Sequence, residues 1–185
     1  MINIRHNIGK TLKDLGELNV NLEKATVSTL NKTAEQARSE ASRQIRVEYN
    51  ISVAGLKRKD KQGRNVLGFT RATAAKLKSA VIARGQGINL KYFGARQTTK
   101  GVSFAIKRKS RQRIPVAFGP DIPRLGGQVF RRLTNERLPI KMIFGPGVAA
   151  MLATKNINLR VRQFVANNYN RILKNEINYF TKVLK

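Results

Sequence analysis

Ile88-Asn89-Leu90-Lys91-Tyr92-Phe93-Gly94-Ala95-Arg96-Gln97 leads through Thr98-Thr99-Lys100-Gly101 into Val102-Ser103-Phe104-Ala105-Ile106-Lys107-Arg108-Lys109, and Arg113-Ile114-Pro115-Val116-Ala117-Phe118-Gly119 closes the stretch. Apolar and basic residues alternate along it, the pattern of a half-buried sheet with a cationic outer face. Lys100-Gly101 has the composition of a hairpin turn. Val102, Phe104 and Ile106 fall on one face of the strand that follows, and Ser103, Ala105 and Lys107 on the other. Lys107 to Arg113 reads as a cationic connection. Ile114 to Phe118 reads as a returning strand, where Pro115 suits an edge or a strand start. Ile88 to Phe93 adds a short extended piece at the front.

Upstream, Thr73 to Ile82 fits a helix by its alanines and a strand by its alternation. The strand, running to Arg84, is preferred because Gly85-Gln86-Gly87 follows as a turn. Lys57-Arg58-Lys59-Asp60-Lys61-Gln62-Gly63-Arg64-Asn65 is a basic loop, either a solvated turn or a contact for phosphates or a partner. Ser52 is placed to cap a short helix through Val53, Ala54 and Leu56. Residues ~9 to ~49 read as a long helix, unbroken or broken once. Its stripe is Leu12, Leu15, Leu18, Leu22, Ala25, Leu30, Ala34, Ala37, Ala41 and Ile45, at spacings of mostly three and four, and no proline precedes Pro115. The alanine half offers little area but allows close approach, by another part of the chain or by a neighbouring subunit.

Downstream, Gly119-Pro120-Asp121-Ile122-Pro123 is a loop, and Gly126-Gly127 precedes a strand over Gln128–Leu133. Arg137 to Phe144 is extended and ends in Gly145-Pro146-Gly147. Pro146 is placed at the first turn of a last helix. That helix runs from Val148 to about Val183 on Val161, Phe164, Val165, Tyr169, Ile172, Leu173, Ile177 and Phe180, with Thr154 to Asn158 bending it or ending its first part. The expected fold class is α+β: a long N-terminal helix, a central antiparallel β meander and a long C-terminal helix. The segments are 1–50, 51–146 and 147–185, within one structural domain.

Charge is the outlier in composition. The 185 residues carry 37 Lys+Arg against 10 Asp+Glu, a formal net charge of +27. Such a surface repels itself and calls for a polyanion, an acidic protein or an assembly. Between Lys61 and Lys174 the acids are Asp121 and Glu136 alone. The cationic surface therefore belongs to the middle of the chain. With no cysteine there is no disulfide framework and no thiolate metal site. His6 is the sole imidazole, near a terminus, and is not expected to be catalytic. Asp121 reads as a turn residue bonding its own backbone and Glu136 as pairing with a base, so neither suggests acid–base or two-metal chemistry. Gly85-Gln86-Gly87 lacks the spacing of a phosphate loop. No apolar run approaches a membrane span, and the first residues have no signal-peptide hydrophobic region, so a cytoplasmic origin is expected.

The functional signal is the basic clusters: Lys57, Arg58, Lys59, Lys107, Arg108, Lys109, Arg111 and Arg113 are the candidate contacts for DNA or an acidic partner. Tyr92, Phe93, Phe104 and Phe118 interleave with basic residues as stacking candidates, although Phe104 and Phe118 sit at core positions of the alternation. No helix-turn-helix, zinc-finger or RNP pattern is present. Charge alone permits a basic protein acting on DNA or RNA non-specifically.

The order of segments resembles the minor tail protein Z family of tailed bacteriophages and prophages. The resemblance rests on Leu30-Asn31-Lys32-Thr33-Ala34-Glu35-Gln36-Ala37-Arg38-Ser39-Glu40-Ala41 with Gln44-Ile45-Arg46 and Tyr49-Asn50-Ile51, then Ile88 to Gln97 with Gly101-Val102. It continues in Val129-Phe130-Arg131-Arg132, Arg137-Leu138-Pro139-Ile140 and Phe144-Gly145-Pro146-Gly147-Val148. These span residues ~30 to ~150; Gly147, in place of a small hydroxyl residue, and the very basic run from Lys107 to Arg111 depart from the family. The resemblance implies a virion structural protein with no enzymatic activity and no cofactor, a tail-completion component in the neck. It would be assembled in the host cytoplasm as a ring, taken as a hexamer, and needed for head–tail joining. The expected neighbours are the tail terminator, tail tube and head-completion proteins, and the DNA passing through the neck. It also implies structural or interface roles for Phe93, Arg96, Gln97, Arg137, Pro139, Gly145 and Pro146.

Overall fold

The computed structural model describes the backbone of residues 8–182 and the side-chain surroundings of residues 21–182. The stripe positions Leu12, Leu15 and Leu18, and His6 and Val183, lie outside those described side chains.

Helix α1 runs unbroken over Ile8–Glu48. Its buried ridge recurs every four residues through Ala25, Thr29, Thr33, Ala37, Ala41 and Ile45. Small residues on such a ridge let a second helix lie close. That helix is within the chain: α4, Lys155–Lys182, packs antiparallel along α1. Ser28 Oγ donates to Glu176 at 2.6 Å, Arg160 Nη1 to Gln44 at 3.2 Å, and the hydroxyls of Tyr49 and Thr154 meet at 3.1 Å. Burial pushes the Glu176 carboxyl upward, but Lys32 and Ser28 outweigh it and hold it below the usual carboxylate range.

Helix α2, Val53–Lys57, begins where Ser52 Oγ accepts the backbone N–H of Gly55, as its sequence position predicts. The β-rich middle is four small antiparallel sheets. Strands β1 (Leu67–Thr70) and β2 (Ala80–Ala83) form a hairpin that lies against α1. Strand β3 (Gly87–Asn89) pairs with β10 (Phe144–Gly147), joining the two ends of the middle segment. Strands β4 (Arg96–Thr98), β5 (Gly101–Lys107) and β6 (Ser110–Ile114) form one meander. Strands β7 (Ala117–Phe118), β8 (Phe130–Arg132) and β9 (Ile140–Met142) form another. Helix α3 is Val148–Leu152. Long N-terminal helix, antiparallel middle and long C-terminal helix together make the α+β fold.

Several local expectations give way. The extended piece from Ile88 ends at Asn89, whose side chain accepts the N–H of Lys91 and starts a 3-10 turn over Leu90–Phe93. The strand expected from Thr73 begins only at Ala80, because Thr73 and Lys76 close a tight turn on each other. The supposed connection Lys107–Arg113 is itself a hairpin with β6 as its second strand. The strand Ile114–Phe118 is broken by a turn in which Val116 takes φ 61. Pro146 lies in β10 rather than in a helix; Gly147 precedes α3, and a Cβ there would stand 2.6 Å from the carbonyl oxygen of Gly85. The last helix does break, between Leu152 and Lys155, within reach of the expected Thr154–Asn158 bend.

One buried cluster draws on all three segments: Ala41 and Ile45 from α1, Leu56, Ile88, Leu90, Phe93, Val102, Phe104 and Val129 from the middle, and Val148, Met151 and Ile157 from the last helices.

Candidate functional site

The β4–β5–β6 sheet turns Val102 and Phe104 to the core; on its other face Ala105 is buried as well, while Arg96, Arg111 and Arg113 are exposed. Cross-strand register then gathers arginines. Ser103 of β5 stands opposite Arg96 on one side and Arg113 on the other, so the three share one row. Arg111 is opposite Ala105 in the adjoining row. Its Nε donates to Ser103 Oγ at 2.8 Å and its Nη2 to the Gly94 carbonyl at 3.3 Å. A like-charged row of this kind is unfavourable unless solvent or an anion screens it. The four ion pairs among the described residues all involve Glu40, Asp60 or Glu176, and none reaches this face.

The hairpin end of the same sheet splits the predicted cationic run by role. Lys107 and Lys109 are exposed. Arg108 is spent on structure: its Nε donates at 2.7 Å to the Arg46 carbonyl in the last turn of α1. That is one of the helix's unpaired terminal carbonyls, where a cation also meets the negative end of the helix dipole. Backbone bonds from Asn50 to Ile106 and from Arg108 to Glu48 tie the hairpin further to the end of α1.

The other predicted cluster is divided as well. Lys57, exposed at the end of α2, lines a cleft of about 520 Å³ with Arg38 and Arg46 of α1. Arg58 is half-buried; its Nη2 donates to the Gly87 carbonyl at 3.3 Å, and its buried Nε has no partner. Lys59 faces a separate hollow with Lys61, Tyr92 and Phe144. Arg46 borders both the Lys57 cleft and the Lys107–Arg113 hairpin.

Among the residues singled out for structure, Phe93 is fully buried and its ring packs on Gly145. Gln97 Nε2 lies within 3.3 to 3.4 Å of the carbonyls of Thr98, Gly101 and Ala117, which ties β4 to the start of β7. Arg96 is exposed and belongs to the arginine row instead. Arg137 and Pro139 lie apart from these, in the exposed β8–β9 connection, where the Pro139 carbonyl accepts the N–H of Leu133.

Two stacking candidates are removed by burial, Phe93 and Phe104. Phe118 stacks on Phe130 with centroids 6.2 Å apart, under the guanidinium of Arg132. Glu136 has no ion pair among the described residues; its N–H donates to Thr134 Oγ1 in the turn. Asp121 is exposed in its loop, where the bond that closes the turn runs from Ile122 N–H to the Gly119 carbonyl. No group of three or more His, Asp or Glu capable of holding a metal occurs among the described residues.

Sequence reasoning set Arg64 in the basic loop but did not single out Arg38, Arg71 or Arg84 as contacts; all four line one cleft. Arg38 and Arg46 with Ser42 between them are spaced four residues apart on one side of α1, a signal present in the sequence. Arg71 and Arg84 carried no such signal, since only the β1–β2 register brings them to α1.

Comparison with protein-family models, with curated proteins and with solved structures gave no match.

Proposed function

We propose that this chain is a structural protein of a tailed-phage virion, without enzymatic activity. In this reading it completes the tail at its head-proximal end and is needed for head–tail joining. The observation that carries the reading is the β8–β9 arm. Every residue from Arg131 to Ile140 is exposed, including Leu133 at 53% and Leu138 at 64%. Uncovered leucines on a hairpin rimmed by Arg131, Arg132, Arg137 and Lys141 are the surface of a protein that meets other proteins. In a closed ring each arm would meet the same patch of the next subunit, a heterologous contact that closes by rotation. The hexameric ring, its tail terminator, tail tube and head-completion neighbours, and a neck location in the virion follow from the resemblance of residues ~30 to ~150 to the minor tail protein Z family.

A basic protein binding DNA or RNA non-specifically is the second reading. The unpaired row of Arg96 and Arg113 on the outward sheet face favours it.

Deleting the coding gene from its phage separates the two. Electron micrographs of the lysate should show filled heads and free tails that fail to join. Normal infectious particles would sink the virion reading. Reversing charge at Lys107 and Lys109, while sparing Arg108, should impair joining and leave the subunit folded. Unimpaired joining would make that hairpin a solvated turn.

A further inference from the structure

Between α1 and the β1–β2 hairpin lies a cleft of about 430 Å³ whose walls carry Arg38, Arg64, Arg71 and Arg84, with Phe69 and Ile82 as apolar lining. It adjoins the cleft of Lys57 and Arg46, since Arg38 and Asn65 line both. Six cations thus border one continuous depression. The carboxylate among them, Asp60, is only 1% exposed. Burial pushes the Asp60 carboxyl upward, but the backbone and side chain of Arg64 and the N–H of Gln62 outweigh it and keep it ionised below the usual range.

Asp60 acts as an organiser. Its Oδ2 accepts Arg64 Nε at 2.9 Å and forms an ion pair with Arg84, whose Nε stands 3.2 Å away, and Oδ1 accepts two backbone N–H groups. Arg84 Nη1 donates to the Asn65 carbonyl at 2.7 Å, and Arg64 Nη2 to Gln62 at 3.2 Å. Each of these guanidiniums keeps one Nη with no partner among the described residues. Across the cleft, Arg38 Nε is buried and has none either. Donors held in place before a ligand arrives lose little entropy on binding it.

The geometry points to phosphate. Guanidiniums from separate elements, Arg38 on α1 and Arg64, Arg71 and Arg84 on the β1–β2 hairpin and the loop leading into it, suit a phosphate, whose several oxygens diverge to meet more donors than the two oxygens of one carboxylate. Arg38 and Arg46 are about 12 Å apart along α1, which suits a chain of anions rather than a single one. The apolar lining by Phe69 and Ile82 can lie against sugar or base. We propose that this depression holds the phosphate backbone of a nucleic acid, with Arg38, Arg71 and the unpaired Nη groups of Arg64 and Arg84 as its phosphate donors. The cleft's chemistry is independent of the virion reading, and the isolated chain tests it.

The measurement is fluorescence anisotropy of a short labelled DNA duplex with the full-length protein over a salt series. Arg38→Gln/Arg71→Gln avoids the two arginines tied to Asp60. It should weaken binding about tenfold and reduce the slope of log K against log salt by about 2, two phosphate contacts being lost. The matched pair Arg162→Gln/Lys174→Gln removes two exposed cations of α4 and should leave the slope nearly unchanged. Thermal melts by circular dichroism confirm that both variants fold. Equal losses from the two pairs would overturn the site, leaving a generally cationic surface. If the cleft pair weakened poly-glutamate binding as much as duplex binding, the cleft would be reading charge alone, and the phosphate assignment would fall to an acidic protein.

Discussion

Gly145 lies against the ring of Phe93, and the contact shows how little freedom single positions have here. A Cβ at Gly145 would stand 2.8 Å from Phe93 Cε2, and Phe93 is 0% exposed, so the ring has nowhere to go. Gly145→Ala should cost about 1–3 kcal/mol in urea unfolding, the range for overpacking a core. Gly68→Ala, whose nearest neighbour would be 3.7 Å away, should be close to neutral. Glu176 gives a pH test. Its carboxyl, pushed up by burial, is held down on balance by Lys32 and Ser28, so its folded pKa lies below the unfolded one. It stabilises fully above the unfolded value, and that contribution is lost as pH falls through the folded one. Glu176→Gln should lower stability at neutral pH and flatten its decline in acid; an equally steep acid limb in the variant would disprove the assignment. Neither residue's surroundings were legible in the sequence. Glu176 carried no signal of its own, since the partner that pairs with it on the antiparallel helix, Lys32, lies 144 residues away.

Elements were legible where local rules governed them. The 3.6-residue period and the lack of proline marked α1, Ser52 marked the start of α2, and Lys100-Gly101 marked the β4–β5 turn. They were obscure where a distant strand decided the outcome. Leu90 to Phe93 coils because Asn89 caps it, just where β3 finishes its pairing with β10. Pro146 sits at the irregularity of that same ladder, between the paired Gly145 and Gly147, instead of opening a helix. The β8–β9 arm read simply as extended backbone; its complete exposure emerged only from three dimensions. That exposure yields a prediction belonging to the arm as a unit. Leu133→Ser/Leu138→Ser removes apolar area that nothing among the described residues covers, so stability should move by no more than about 0.5 kcal/mol. On the proposed virion reading, phage carrying the pair should nevertheless accumulate unjoined heads and tails. A strongly destabilised subunit would mean that the arm packs within its own chain, and normal joining would leave its leucines without a partner.

Charge acts on the whole molecule. The sequence disclosed its amount and its concentration in the middle of the chain. It could not disclose its use: Arg108 on a helix carbonyl, Arg111 on Ser103, and Arg64 and Arg84 on Asp60. With a net charge of +27 and few carboxylates, most cations repel one another in the folded state more than in the expanded chain. Adding salt shortens the screening length from about 10 Å at 0.1 M to about 3 Å at 1 M. Close ion pairs also weaken under screening, but they are few here, and exposed ones contribute at most about 1 kcal/mol each. Repulsion relief should win, so the thermal midpoint should rise with sodium chloride. A polyanion should raise it at far lower ionic strength, by binding the folded surface. A midpoint that falls with salt would mean that the ion pairs at Glu40, Asp60 and Glu176 outweigh the repulsion. The cationic surface would then cost the free subunit little, and stability alone would give it no need of a polyanion or of assembly.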